Sequence, residues 1–179
     1  MDIQNITLIS FGYFEQDLLM KIADSVKLEY HFLVNVKEGH LDLSEFYDSG
    51  RRQYDGTRLL KEVDYTFAAN SSKTIGLFSV DLYIPILTYI FGQAYLNGRC
   101  GIASLYRLSN ERYGINMDNT LVLDRFIKEV IHELGHAFGL IHCHISTCVM
   151  RSSTYVEDID QKGQNLCLKC RDELNSILG

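Results

Sequence analysis

The stretch HELGHAFGLIHCHISTCVM, residues 132 to 150, holds four of the chain's six histidines and two of its five cysteines. On an α-helix, His132 and His136 project from the same face one turn apart, so both imidazoles can reach one metal about 2 Å from each ring nitrogen. Glu133 is turned from His132 by about 100° around the axis, close enough to address a water on that metal without becoming a ligand. Gly139 tolerates the left-handed conformation that ends a helix, and the turn it allows brings His142 back as the third ligand. Three neutral imidazoles leave a fourth tetrahedral position open, as in a catalytic rather than a closed structural site. The five fixed residues of H-E-x-x-H-x-x-G-x-x-H arise by chance in such a chain with a probability on the order of 10⁻⁴ or less.

Cys143 follows the third histidine directly, Cys148 comes five residues later, and Cys167-x-x-Cys170 adds a tight pair. Four thiolates make a closed tetrahedral zinc site with no open position, expected to clamp the C-terminal segment rather than to catalyse. If His142 and Cys143 point to opposite sides of one extended turn, two metals share a rigid segment and stay separate. A single mixed site of His and Cys is the competing arrangement. His144 is a spare ligand for either centre, expected to stay outside both because the four thiolates already complete the closed site.

The cysteine reading depends on compartment. The start, MDIQNITLISFGYFEQD, lacks a basic region followed by an apolar stretch and a small-residue cleavage site, so no secretory signal is expected. VDLYIPILTYIFG is too short and too interrupted to span a bilayer. A cytoplasmic location follows as the expectation, and a reducing compartment favours metal over disulfides for clustered cysteines. Cys100 lies apart, among strand formers, and reads as a buried small hydrophobe. With 17 basic against 23 acidic residues and no run of Lys or Arg, nucleic acid is not an expected partner. At 179 residues and 46% hydrophobic, one domain with its own core is expected, and a monomer is the default.

ITLISFGYF reads as a strand, EQDLLMKIADSVKLEY as a helix with Leu18, Leu19, Ile22 and Val26 at helical spacing, and HFLVNVKEG as a second strand, a crossover with parallel strands. LDLSEFYDSGRRQYDG has no clean period and reads as a loop leading into a helix from about Thr57 to Ala69. KTIGLFSV is a further strand. ILTYIFGQAYL and GRCGIASLYRLS are separated by Asn97-Gly98, a hairpin signal, and the second run reads as an exposed edge strand, Gly101 to Arg107. LVLDRFIKEVIHELGHAFGL is the long helix, capped by Asn119 or Thr120, and CLKCRDELNSILG is a short final one.

HELGHAFGLIH followed at once by Cys143, then Cys148 and Met150 in CVM, and a distant CLKC, resembles the archaemetzincin family of zinc metallopeptidases. RRQYDGTRLL, LFSVDLYIPILTYIFGQA and the Ser104 to Leu108 run resemble it more loosely. The resemblance implies a metzincin-type zincin fold of the α/β class: a twisted, largely parallel sheet with helices, the active-site helix, and a small C-terminal subdomain clamped by zinc. It implies one catalytic domain over 1–179, with an N-terminal subdomain, 1–139, and a C-terminal one, 140–179. It makes Met150 the methionine of the turn beneath the catalytic metal. The position two residues on, a tyrosine ligand in some metzincins, is Ser152, and Tyr155 is too distant to assign, so no extra ligand is expected. No blocking propeptide is expected ahead of the first strand; activity then needs no latency or is restrained by a narrow cleft.

Two zinc ions per chain are thus expected, one catalytic on His132, His136 and His142, one structural on the four cysteines. Glu133 is expected to act as general base on a peptide or protein substrate. A zinc-stabilised binding module with little turnover is the alternative, against which the intact Glu133 speaks. A redox role for Cys167-x-x-Cys170 is disfavoured, because such a motif should follow a strand in a βαβ unit. Gly101 to Arg107 is expected to pair with an extended substrate, and Arg107 is more simply a solvated or ion-paired arginine than a contact for a substrate carboxylate.

Overall fold

A computed structural model describes residues 3–179; Met1 and Asp2, which open the stretch read as lacking a secretory signal, lie outside the described residues. The N-terminal crossover forms as its apolar pattern requires. Strand β1 (Asn5–Phe11) is buried along nearly its whole length, and helix α1 (Gln16–Tyr30) turns Leu19, Ile22 and Val26 inward at helical spacing. Strand β2 (Leu33–Gly39) returns parallel to β1.

Residues 41–56, expected to be a loop, instead contain the short antiparallel strands β3 (Tyr47–Asp48) and β4 (Gln53–Asp55). They are too short to show a period, and β4 is held by pairing with a strand distant in sequence. Helix α2 (Gly56–Phe67) follows, with Asp55 accepting a hydrogen bond from the Arg58 amide as its cap. The order then runs β5 (Ser72–Phe78), β6 (Leu82–Ile84), β7 (Leu87–Ile90), β8 (Gly92–Ala94), β9 (Cys100–Ser104), α3 (Asn119–Phe138), α4 (Val156–Gln161) and α5 (Leu168–Leu178).

Two sheets result. The larger has strand order β2-β1-β5-β9-β8, parallel except for β8, which runs antiparallel to β9; the smaller has order β3-β4-β6-β7. The apolar run read as one strand before Asn97 therefore divides, β7 joining the small sheet and β8 the large one. The hairpin expected at Asn97-Gly98 does form, between β8 and β9, with Asn97 at φ 51°.

The expected edge strand, Gly101 to Arg107, is corrected. β9 ends at Ser104, is buried throughout, and lies between β5 and β8. Its continuous apolar character is that of an interior parallel strand, not an alternating edge. The edge is β8. Arg107 forms a fork with Asp81, its Nε and Nη2 donating at 2.8 and 2.5 Å, and so is the ion-paired arginine rather than a substrate contact.

Alternate residues of the large sheet feed two cores, as a sheet covered on both faces requires. Ile6, Leu8, Ile75 and Leu77 pack with α1 and α3, while Ile9, Phe11, Phe78 and Ile102 pack with α2. Helix α3 therefore lies against the sheet near its β8 edge. Its first residues are capped by Asp118, which accepts from the Leu121 amide at 3.0 Å, and not by Asn119 or Thr120 as expected. Among the described residues no helix is long and apolar enough to cross a membrane.

Candidate active site

Helix α3 carries the site because its apolar residues hold it against the sheet while one stripe of its surface faces a cavity. Phe126, Val130, Leu134 and Phe138 are buried in the core, and the Tyr30 hydroxyl of α1 donates to the Ile131 carbonyl at 2.6 Å. Gly139, at φ 112°, ends the helix. Its amide donates to the Gly135 and His136 carbonyls, and the Leu140 amide returns to Gly135 at 2.8 Å, a Schellman turn that reverses the chain. His142 is thereby brought back over the helix.

The three imidazoles converge. His136 Nε2 lies 3.1 Å from His132 Nε2 and 3.2 Å from His142 Nε2. On the far side of each helical ring, Nδ1 meets a backbone carbonyl at 2.8 Å, Val149 for His132 and Leu140 for His136. A carbonyl can only accept, so both Nδ1 atoms carry the proton and both Nε2 atoms present lone pairs. Burial holds the His132 imidazole well below the usual histidine range, helped by the Lys162 charge, and burial also lowers His136 and His142. Neutral rings directing lone pairs at one point repel unless a cation lies between them; this donor set fits zinc, with carbonyls fixing the ring orientations.

Glu133 faces the same cavity of about 600 Å³, which β7, β8 and the segment after Met150 complete. Burial holds its carboxyl well above the usual carboxylate range, and the neighbouring Glu129 charge pushes in the same direction against Lys162. Strand β8 presses on it closely: a Cβ at Gly92 would meet Glu133 Oε1 at 2.6 Å. Met150 is fully buried against α3, where a Cβ at Gly135 would lie 2.3 Å from its sulfur. Its carbonyl accepts from the Cys143 amide at 2.9 Å, tying the two ends of the histidine-cysteine segment together.

The four cysteines form a separate group. Cys143, Cys148, Cys167 and Cys170 place their sulfurs within 4.8 Å of one another, with Cys143–Cys167 and Cys148–Cys170 each at 3.8 Å. These separations exceed a disulfide bond, and the donor set suits a closed thiolate site. His144 is exposed and belongs to neither group, and the three histidines and four cysteines gather as two separate groups. Cys100, fully buried, has its thiol pushed up to about 12 by burial and by the Asp64 charge.

Residues 13–176 match the model of peptidase family M54. The chain belongs to this family, the archaemetzincins. It is 36% identical over 179 residues to an archaemetzincin of Pyrococcus abyssi, covering 97% of this chain and 95% of that one. An archaemetzincin structure from Methanopyrus kandleri superposes with a TM-score of 0.82 at 31% identity, covering 98% of this chain and 96% of the other. A zinc-dependent peptidase from Methanocorpusculum labreanum gives 0.85 at 28% identity, covering 96% and 100%. Archaemetzincins are a zinc metallopeptidase family, consistent with both donor groups.

Four cavity residues escape a reading of the sequence. Glu129 stands one turn before Glu133 on α3, a spacing that signals a shared face, but a glutamate at that position in a helix is ordinarily solvated. Lys162, Ser153 and Tyr89 carry no local signal at all, since each comes from a different element and only the fold assembles them.

Proposed function

We propose that this archaemetzincin is a zinc-dependent peptidase in which Glu133 is the general base and a second, structural zinc is held by Cys143, Cys148, Cys167 and Cys170. The convergence of three imidazole Nε2 atoms, two of them fixed as lone-pair donors, beside a buried carboxyl in an open cavity is the observation that carries this reading. His132, His136 and His142 would hold the catalytic ion. Zinc bound there supplies Lewis acidity, which acidifies water and polarises a peptide carbonyl.

The protein's own groups do the rest. Glu133 takes the proton of the attacking water and passes it to the leaving amine, one carboxyl serving both steps, and its raised affinity for a proton suits the second. Strand β8, the free antiparallel edge beside Glu133, offers its main chain to an extended peptide. Met150, packed beneath Gly135, serves as the methionine of the turn that underlies the histidines. The segment from Cys143 to the end of α5 is drawn together by the thiolate site, which leaves no position open for chemistry.

A second reading, a binding module with little turnover, is favoured by one contact. Tyr89 of β7 donates to the Thr154 carbonyl at 3.1 Å, joining two walls of the cavity and narrowing it. The two readings separate on incubation of zinc-replete protein with a pool of short and long peptides, with and without a chelator. Cleavage that stops on chelation and returns with zinc supports the peptidase; intact peptides in every arm support the binding module.

A further inference from the structure

Among the described residues only two buried side-chain atoms lack a hydrogen-bond partner, Glu129 Oε1 and Ser153 Oγ, and both residues line the catalytic cavity. Leaving a buried acceptor or hydroxyl unsatisfied costs roughly 1–3 kcal/mol, so native proteins keep few such groups. Their coincidence in one cavity points to a ligand that completes them.

Lys162 ties together the segments that carry them and sets the charge they present. Its ammonium forms an ion pair with Glu129 Oε1 at 3.1 Å that does not count as a hydrogen bond, and it donates to the Arg151 carbonyl at 3.2 Å. The lysine thus draws the Arg151–Ser153 segment to Glu129, and it cancels the carboxylate charge while leaving the oxygen's hydrogen-bonding capacity unused. Glu129 is 3% exposed and Lys162 2%, so neither charge is solvated away.

We propose that Glu129 and Ser153 form a subsite of the cavity that takes a neutral polar substrate side chain, a carboxamide or a hydroxyl, beside the scissile bond; this rests on the peptidase reading for its substrate class. A carboxamide N–H donates to Glu129 Oε1 and the Ser153 hydroxyl donates to the carboxamide oxygen, so both orphan atoms are paired. A cationic side chain meets Lys162 with no free counter-charge, an anionic one meets Glu129, and an aliphatic one leaves both atoms unpaired.

The test uses zinc-loaded Glu133→Ala protein, which holds peptide without turnover, and a labelled peptide series in which Gln, Ser, Leu, Lys or Glu replaces each residue in turn. Fluorescence anisotropy is expected to find one position at which Gln and Ser bind about tenfold more tightly than the other three. Adding Ser153→Ala, a small change outside the core, is expected to abolish that preference. No peptide binding, equal binding at every position, tightest binding of Leu, Lys or Glu, or a preference that survives Ser153→Ala overturns the subsite. Wild-type protein is run on the same peptides. If it leaves them intact while the preference stands, the peptidase reading fails and the subsite holds; if it cleaves them all without preference, the reverse is true.

Discussion

Gly92 of β8 and Glu133 of α3 stand so close that a Cβ at residue 92 would fall 2.6 Å from the glutamate's Oε1 and 2.7 Å from its Cγ. The edge strand and the carboxyl share a space that only a residue without a side chain leaves open. Gly92→Ala is therefore expected to displace the carboxyl and lower turnover by about 10², the scale of a misplacement of roughly 1 Å, while zinc bound per chain stays unchanged. The same Cβ would also meet the Ile102 carbonyl at 2.7 Å, so a modest loss of stability accompanies the loss of rate. Kinetics and metal analysis of the one variant check both.

Gly135 and Met150 make the corresponding contact on the other face of α3. Gly135→Ala would drive a methyl group to within 2.3 Å of the Met150 sulfur, and Met150 is completely enclosed. Overpacking of this kind costs about 1–3 kcal/mol. Thermal melting should show it as a fall of about 2–4 °C per kcal/mol for a chain of this size. Methionine replaced by the smaller alanine in the same variant should recover part of the loss.

Cys167→Ser removes one of four thiolates from a group whose sulfurs lie within 4.8 Å of each other. Zinc per chain is expected to fall from two to one, with the C-terminal segment becoming sensitive to proteolysis before the strands do. His136→Ala is expected to lose the other ion while leaving melting closer to wild type. Metal analysis and limited proteolysis of the pair distinguish a clamp from a working site.

Cys100 offers a pH-dependent control. With its thiol at about 12, only about 10⁻⁴ of it is thiolate at pH 8, and it is fully buried. After chelation without denaturant, an aromatic disulfide reagent at pH 8 is expected to modify the partly exposed Cys143 and Cys167 and to spare Cys100. Because the folded thiol keeps its proton when the unfolded one loses it, the Cys100 contribution to stability is whole below the unfolded value near 8.5. It is lost as pH rises above that toward 12. Cys100→Ala should flatten this alkaline decline in melting temperature.

Both donor groups were legible in the sequence because helical spacing, a helix-ending glycine and adjacent cysteines are local signals. His132, His136 and His142 meet as their spacing requires, and Cys143 turns away to the thiolate group. The crossover of β1, α1 and β2 was legible for the same reason, each element being long enough to show its period. What was not legible depends on distant partners. β9 reads as an edge until β8 is seen to cover it, and β4 reads as loop because its three residues are held by β6. Glu129, Lys162 and Ser153 reach one cavity from α3 and from the connections on either side of α4, too far apart in sequence to form a local signal.

The central assignment is Glu133 as general base, and kcat/KM on a single cleaved peptide, measured for wild type and Glu133→Ala with zinc content determined on both, tests it most directly. The expected result is a loss of at least about 10² in the variant with both zinc ions retained, the scale of a general base. Equal rates in the two proteins, with equal zinc, would contradict it.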